Sequence, residues 1–302
     1  MKERPAANYG VAQSTTDYNP SPKAIPKLLH SRSIFISSCG GAALHSIFGV
    51  PMTIQDFFRD HPRAALAFSG GVDSAYLLYA GRKAGADLRP YYVKSQFQPQ
   101  FEYEDAMRLC RELGAEPSVL HVDALCSEDV ARNGADRCYH CKINIMSTIL
   151  AAAAEDGYSV LLDGTNASDD AGDRPGMRAL RELEVLSPLR LCGLTKPEIR
   201  RLSREAGLFT WNKPAYACLA TRVKTGEPIT NQRLAAIEES EDYLFSRGYT
   251  DFRVRTAGET ALLQFPAEQL ERAGAEEAEI AGRLCAFFES IHIDPKGRKT
   301  GL

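Results

Sequence analysis

The stretch Ala65–Leu78, ALAFSGGVDSAYLL, places a polar turn with two glycines between an apolar strand and an apolar helix. Such a turn leaves several backbone N–H groups free at the start of the helix, where the helix dipole adds partial positive charge. Both features favour a bound anion, and glycine allows the backbone to approach a phosphate closely. The sequence therefore predicts a phosphate-binding loop formed by Ser69, Gly70, Gly71, Val72, Asp73 and Ser74.

Two common phosphate loops do not match this stretch. A Walker A loop needs a lysine that is absent here, and the glycine spacing of a dinucleotide-binding turn is absent too. An ordinary capped turn is the alternative, and the full six-residue string counts against it. The string SGGVDS resembles the pyrophosphate loop, or PP-loop, of the N-type ATP pyrophosphatases. That resemblance implies cleavage of ATP between its α and β phosphates and adenylylation of a substrate oxygen.

Composition indicates an intracellular enzyme. The chain has 302 residues and a formal net charge of −3, so no overall positive charge points to nucleic acid as a partner. No apolar run approaches the roughly 20 residues of a membrane span. Eight cysteines are too few for a disulfide scaffold in a chain of this length. We therefore expect a cytoplasmic protein without nucleic-acid or membrane partners.

Alternating strand and helix patterns predict an α/β fold with a doubly wound parallel sheet. We assign residues 52–225 to this PP-loop domain and residues 226–302 to a smaller C-terminal α+β domain. Residues 185–191 are predicted to form a short strand, and residues 266–291 one or two helices. Residues 1–51 are expected to be a disordered extension, or to result from a translation start assigned too far upstream. A signal peptide is a weaker alternative.

A second polar segment follows a predicted buried strand. Ligands of open parallel sheets bind where the carboxyl ends of the strands meet, so this segment is expected beside the first loop. Its predicted ATP-binding residues are Asp163, Gly164, Thr165 and Asn166. Asp73 is the predicted magnesium ligand, because Mg²⁺ prefers carboxylate oxygens near phosphates.

Three cysteines form the second chemical feature. Cys138 and Cys141 have Cys-x-x-Cys spacing in DRCYHCK, and Cys218 lies in KPAYACLATR. Thiolates at this spacing can bind one metal ion or one iron–sulfur cluster. Zinc remains possible if His140 or another cysteine is the fourth ligand. The alternative to any metal site is that these are free cysteines packed in the protein.

Longer strings of the sequence narrow the resemblance from the PP-loop enzymes in general to one family. DRCYHCK, LLDGTNASDDAGDRPGMRALRELEVLSPL, GLTKPEIRRLSREAGL, WNKPAYACLATRVKTGEPIT and FRVR resemble the LarE family over residues 52–270. The resemblance implies sulfur insertion during synthesis of the nickel-pincer nucleotide cofactor. Its implied substrate is pyridinium-3,5-biscarboxylic acid mononucleotide, whose carboxylate ATP would activate before sulfur replaces AMP. The expected partner is therefore a small-molecule nucleotide, the sulfide source is unknown, and a homo-oligomer is expected.

The family has two chemical styles. In one, a lone cysteine gives up its own sulfur and becomes dehydroalanine. In the other, that cysteine and a Cys-x-x-Cys pair hold a [4Fe-4S] cluster. Because Cys138, Cys141 and Cys218 are all present, the resemblance implies the cluster style.

The resemblance also implies residue roles. The implied catalytic residues are Cys218, Asp73 and Arg222, and the implied substrate-binding residues are Asp173, Arg174, Arg222, Glu241, Arg253 and Arg255. Arginine suits phosphate and carboxylate groups because its guanidinium pairs with them bidentately. Gln264 departs from the pattern, since a carboxylate is expected there, and this puts any metal or substrate role of that position in doubt.

Two other functions stay open. Another PP-loop enzyme, such as a tRNA thiolase or an NAD- or GMP-synthetase-like enzyme, is the first alternative. A tRNA thiolase should carry a basic surface, and a glutamine-dependent synthetase should carry an amidotransferase domain; the sequence offers neither. A non-enzymatic ATP- or AMP-sensing module is the second alternative, and the three-cysteine set counts against it.

Overall fold

The structure, a computed structural model, describes residues 52–169 and 175–298. The predicted extension 1–51 and the predicted substrate residues Asp173 and Arg174 lie outside the described residues. The strands described in the first half of the protein, residues 52–225, are β1 (Arg63–Ala67), β2 (Asp87–Lys94), β3 (Ser118–His121) and β4 (Leu161–Leu162). Its helices are α1 (Ile54–Asp60), α2 (Val72–Lys83), α3 (Gln100–Glu112), α4 (Glu128–Ala131), α5 (Arg137–Glu155), α6 (Pro175–Glu182), α7 (Pro188–Leu191) and α8 (Lys196–Glu205).

The first sheet has the order β3-β2-β1-β4, and every pairing in it is parallel. Strand β1 is central and apolar, so its alternate side chains enter two different cores. Leu66 packs with Leu77 and Ile199 on one face, and Ala65 packs with Met146 on the other. Helices therefore cover both faces, and the predicted doubly wound α/β architecture is confirmed.

The predicted strand at residues 185–191 is wrong in most of its length. Leu186 makes a single parallel bridge to Leu162, and the chain then turns into α7. Pro188 starts that helix, where its fixed φ suits the first turn and its missing N–H costs nothing. The strand pattern therefore ends after one bridge.

The second half holds α9 (Asn231–Ser246), β5 (Arg253–Ala257), β6 (Thr260–Gln264), α10 (Leu270–Ala275), α11 (Glu277–Leu284) and β7 (Ser290–Ile293). Strands β5 and β6 form the predicted hairpin, and Gly258 turns it with a left-handed φ of 56°. The sheet order is β5-β6-β7, with β7 parallel to β6. The prediction of helix through residue 291 is wrong for this last strand.

An apolar cluster connects the two halves. Phe97 and Val130 of the first half pack in it with Leu219, and Leu234 and Ile237 of α9 come from the second. The division at residue 225 remains a prediction, and this shared core crosses it. Within the described ranges, no helix is both long enough and apolar enough to cross a membrane.

Candidate functional site

The predicted phosphate loop follows β1 and leads directly into α2. Gly70 adopts a left-handed φ of 72°, and a Cβ at this position would lie 2.7 Å from the Cβ of Ala106. Both constraints require glycine here. Gly71 is the N-cap of α2, so the free N–H groups of the first helical turn lie in the loop.

Two serines hold the loop closed. The Ser69 backbone N–H donates to Ser74 Oγ over 3.3 Å, and the two hydroxyl oxygens lie 3.1 Å apart. Ser74 Oγ donates to the carbonyl of Gly71 over 3.2 Å. These bonds fix the loop as a preformed turn.

Asp73 lies at the mouth of the loop. Lys196 Nζ, at the start of α8, is 2.7 Å from Asp73 Oδ2, and Asn166 Nδ2 donates to Asp73 Oδ1 over 3.4 Å. Burial raises the pKa of the Asp73 carboxyl above its ordinary value, and Lys196 acts in the opposite direction. The carboxylate of the loop and the ammonium group of α8 thus lie beside free backbone N–H groups.

The second polar segment lies against the first, as predicted. A Cβ at Gly164 would lie 3.0 Å from the backbone nitrogen of Ser74, so the two strand ends are in close contact. The buried Asp163 carboxylate accepts from the hydroxyls of Ser187 at 2.7 Å and Thr165 at 2.5 Å. Asp163 therefore shapes this segment through bonds within the protein.

One cavity of about 610 Å³ contains the phosphate loop and the three cysteines. Cys138 and Cys141 lie in the first turns of α5, and Cys218 comes just before the 3-10 turn Leu219–Arg222. Residues about 77 positions apart are thus brought to one surface. The cavity is lined by Ser69, Gly71, Asp73, Ser74, Asp163, Gly164, Thr165, Cys138, Cys141 and Cys218, together with Glu102, Arg137, Lys142, Asp169 and Tyr216.

The thiols affect one another electrostatically. Burial, together with the neighbouring Cys218 and Cys138 sulfurs, raises the pKa of the Cys141 thiol to about 12. Burial also raises the pKa of Cys218, and the Arg137 guanidinium opposes this effect. Arg137 Nη2 donates to the sulfur of Cys138 over 3.4 Å. The raised pKa values therefore keep the Cys141 and Cys218 thiols protonated at neutral pH.

The cavity offers thiol and carboxylate donors for the metal groups that the sequence suggests. Among residues 52–169 and 175–298, no group of three or more His, Cys, Asp or Glu side chains is arranged to hold a metal ion. Three thiols facing one cavity nevertheless match the thiolate ligands of iron–sulfur clusters in donor type. Asp73 matches the oxygen preference of Mg²⁺.

Arg222 and Glu241 form a buried pair behind residues 213–221, the cysteine segment that carries Cys218. Arg222 is 1% exposed, and its Nε lies 3.0 Å from Glu241 Oε1. Glu241 also accepts from the backbone N–H of Val254 over 2.9 Å and from the hydroxyl of Tyr216. Arg222 further donates to the carbonyl oxygen of Ala217, immediately before Cys218. These two residues do not line the cavity.

Arg253 and Arg255 lie on one face of β5, as alternation predicts. The Arg253 guanidinium is buried and bonds to the carbonyl of Ala215, whereas Arg255 Nη1 donates to the carbonyl of Thr221 over 3.0 Å. Gln264 accepts from Arg255 Nε over 2.6 Å. The structure brings both arginines to the cysteine segment, and neither lines the described cavity.

Sequence reasoning missed several residues of this site, among them Lys196, Arg137 and Tyr216. Lys196 stands in the TKPE string that predicts the start of α8, where it is the first residue of that helix. Arg137 immediately precedes the cysteine pair. Tyr216 precedes Cys218 by two residues. Each borders a motif that was recognised.

A PP-loop fold is defined by the phosphate loop after β1, the parallel sheet, and the polar segment 163–166 that follows β4. No protein-family model matches the chain. It is 30% identical over 220 residues to the pyridinium-3,5-bisthiocarboxylic acid mononucleotide synthase of Lactiplantibacillus plantarum, with 72% of this chain and 80% of the relative covered. The chain belongs to the family of that synthase, the LarE family.

Other relatives agree with this placement. An uncharacterised protein of Synechocystis is 33% identical over 258 residues, covering 82% of this chain and 94% of the relative. The GMP synthase of Aeropyrum pernix is 27% identical over 206 residues, which are 59% of this chain and 38% of that enzyme. The predicted resemblance to LarE and to the wider PP-loop group is thereby confirmed.

Proposed function

We propose that this protein is a sulfur transferase that activates a carboxylate of pyridinium-3,5-biscarboxylic acid mononucleotide with ATP and replaces AMP with sulfur. Its membership of the PP-loop group supports the coarser statement that it is an ATP-dependent enzyme. The observation that carries the finer proposal is the shared cavity of the phosphate loop and the three cysteines. A site that both activates a carboxylate and delivers sulfur needs these two features within reach of one substrate.

The phosphate loop would hold the pyrophosphate that leaves. Its free N–H groups and Lys196 offer positive charge to the phosphates, and Asp73 would hold Mg²⁺. Lys196 is paired with Asp73 in this structure. When ATP and Mg²⁺ bind, the Lys196 ammonium would exchange its contact with the Asp73 carboxylate for a contact with a phosphate oxygen. Adenylate formation then depends on positioning and on neutralising charge.

Cys138, Cys141 and Cys218 would hold the [4Fe-4S] cluster that the family resemblance implies. The bound cluster would supply sulfur at an iron without a protein ligand. Arg137 supports this assignment because its positive charge lies beside Cys138 and favours thiolates. Consumption of Cys218 itself remains the alternative route within the same function.

Substrate recognition is assigned to the basic groups of β5. Exposed Arg255 brings its guanidinium to the edge of the cysteine segment, where a phosphate or a carboxylate can pair with it. Arg253, buried and bonded to the carbonyl of Ala215, stays a proposed substrate residue from the family pattern. Asp173 and Arg174 stay proposed substrate residues from the family pattern. Arg222 and Glu241, also proposed from that pattern, would act from behind the segment in their observed pairing.

The test is an anaerobic assay with the reconstituted protein, ATP, Mg²⁺, sulfide and the pyridinium mononucleotide. We expect pyrophosphate release that depends on the pyridinium substrate and a thiocarboxylate product detected by mass. Release that depends on unmodified tRNA instead would favour the tRNA thiolase alternative. No pyrophosphate release with either substrate would contradict the proposal.

A further inference from the structure

The segment that carries Cys218 is anchored by a lysine at its start. Lys213 Nζ lies 2.9 Å from Glu102 Oε2 and 2.8 Å from Asp105 Oδ2, and both carboxylates belong to α3. The Lys213 side chain is 14% exposed, and the Glu102 side chain is 12% exposed. A largely buried ammonium group with two carboxylate partners holds its position far more firmly than a surface ion pair.

Further contacts hold the same segment on both sides of Cys218. The backbone N–H of Leu219 donates to the carbonyl of Phe97 over 3.0 Å. The rings of Tyr216 and Phe101 meet edge to face with 4.9 Å between their centroids. The cysteine segment is thus fixed to the start of α3 before its cysteine and to Phe97, just ahead of α3, after it.

Helix α3 also contacts the phosphate loop. Ala106 lies one turn beyond Glu102 and packs against Gly70 so closely that a Cβ on the glycine would be 2.7 Å from the Ala106 Cβ. One helix therefore contacts the nucleotide loop through Ala106 and the cysteine segment through Glu102 and Asp105. The separation between the two is set by a rigid element rather than by a loop.

A second helix acts in the same direction. Arg200 of α8 donates to the carbonyl of Trp211 over 2.9 Å and to the carbonyl of Lys213 over 3.0 Å. The first turn of α8 also places Lys196 on Asp73. Lys213 is therefore held between two helices that each reach the phosphate loop.

We propose that Lys213 is a positioning residue that sets the place of Cys218 relative to the nucleotide loop. Lys213 does not line the cavity, so it acts through the segment that it anchors. The inference rests on the proposed function for its catalytic consequence. Its structural consequence, the fixed placement of Cys218, can be measured without substrate.

The test compares Lys213→Met with the wild type and with Lys83→Met, a control at an exposed lysine of α2. Substrate-dependent pyrophosphate release by Lys213→Met should stay within about threefold of the wild type, while thiocarboxylate formation should fall by about tenfold to a hundredfold, because misplacing a reacting group by about 1 Å costs rate on that order. In cluster-free protein, iodoacetamide should alkylate Cys218 several times faster than in the wild type, on the order of fivefold. Lys213→Arg, which keeps the charge, should recover part of the loss.

Equal losses of pyrophosphate release and sulfur transfer would overturn the proposal, and so would an unchanged alkylation rate at Cys218. If the wild type itself shows no substrate-dependent release, the proposed function has failed and the alkylation rate alone decides the positioning role. If Lys213→Met does not fold, Asp105→Asn removes only one of the two ion pairs and is measured in the same way. Identical alkylation of Cys218 in Asp105→Asn and the wild type would then contradict the inference.

Discussion

At the scale of single residues, the site places each reactive group beside another group that adjusts its charge. Asp73 is half-buried, and Lys196 lies 2.7 Å from its carboxylate. Cys141 is half-buried beside two further thiols, with Arg137 nearby. Burial favours the neutral form of both acids, and a bound cation would favour the charged form. Ligand binding and ionisation are therefore linked at both positions.

Asp73→Asn should abolish pyrophosphate release and leave the fold intact. Because the pKa of Asp73 is raised, the folded protein binds its proton more tightly than the unfolded chain does. Ionised Asp73 therefore costs stability at neutral pH, a cost that disappears as the pH falls below the raised pKa. The variant should melt at the wild-type temperature or up to about 3 °C above it. The exposed control Asp60→Asn should keep full activity, and wild-type release from folded Asp73→Asn would refute the loop assignment.

Alkylation of Cys141 in cluster-free protein should depend steeply on pH. With its pKa raised to about 12, the thiol is neutral at pH 7, and only the thiolate reacts. The rate should rise about tenfold for each pH unit between roughly 8 and 11. Exposed Cys285 gives the reference rate in the same sample, read by peptide mass. Rapid alkylation of Cys141 at pH 7 that does not change with pH would contradict the structure.

At the scale of elements, the nucleotide site is shaped by two contacts between the phosphate loop and neighbouring helices. The loop between β1 and α2 contacts α3 through Gly70, and α8 brings Lys196 to the same place. The first contact leaves no room for a side chain on Gly70, and the second places a positive charge of α8 beside the loop. Element packing therefore sets the geometry on which phosphate binding depends.

Gly70→Ala should weaken ATP binding and lower stability. Alanine would have to adopt a φ of 72° and would also bring its Cβ to 2.7 Å from Ala106. Gly85→Ala is the matched control, since Gly85 has a φ of 78° but nothing within 4 Å of its added Cβ. Gly85→Ala should lose about 1 kcal/mol, and Gly70→Ala should lose more and bind ATP at least about tenfold more weakly. Similar ATP affinities in the two variants, by calorimetry, would show that the close contact does not matter.

Many of the helices and strands could be predicted from the sequence, because neighbouring residues decide where they begin and end. Thr195 and Glu198 predict the start of α8, and both capping bonds are present, with Thr195 N–H donating to Glu198 over 2.9 Å. Strand β7 was missed because a short apolar run does not separate strand from helix without its partner β6. Lys196 was missed because its partner, Asp73, is 123 positions away. The shared cavity likewise depends on folding that no single motif encodes.

At the scale of the whole molecule, the Arg222–Glu241 pair joins the two halves beneath the cysteine segment. Arg222 follows Cys218, Glu241 lies on α9, and the Glu241 carboxylate also caps the N–H of Val254 on β5. Because both charges are buried, each depends on the other for compensation. The predicted homo-oligomer is a separate matter and stays a prediction.

Glu241→Ala should destabilise the protein by about 3–5 kcal/mol, since it leaves the buried Arg222 uncompensated. The melting temperature should fall by on the order of 10 °C. Glu205→Ala, which removes an exposed pair with Arg201, should change stability by less than about 0.5 kcal/mol. An unchanged melting temperature in Glu241→Ala together with weaker substrate binding would instead assign Glu241 to the substrate alone.

The most direct test of the central claim, that one cavity joins ATP activation to sulfur delivery by three cysteines, is product stoichiometry read with intact protein mass. With ATP, sulfide and the pyridinium mononucleotide, the reconstituted enzyme should form more than one thiocarboxylate per chain and keep its full mass, and Cys138→Ala, Cys141→Ala and Cys218→Ala should each lose this turnover. A single turnover with a mass loss of about 34 Da, the H₂S lost when a cysteine becomes dehydroalanine, would contradict the three-cysteine account. Full activity of Cys138→Ala or Cys141→Ala without iron would contradict it equally.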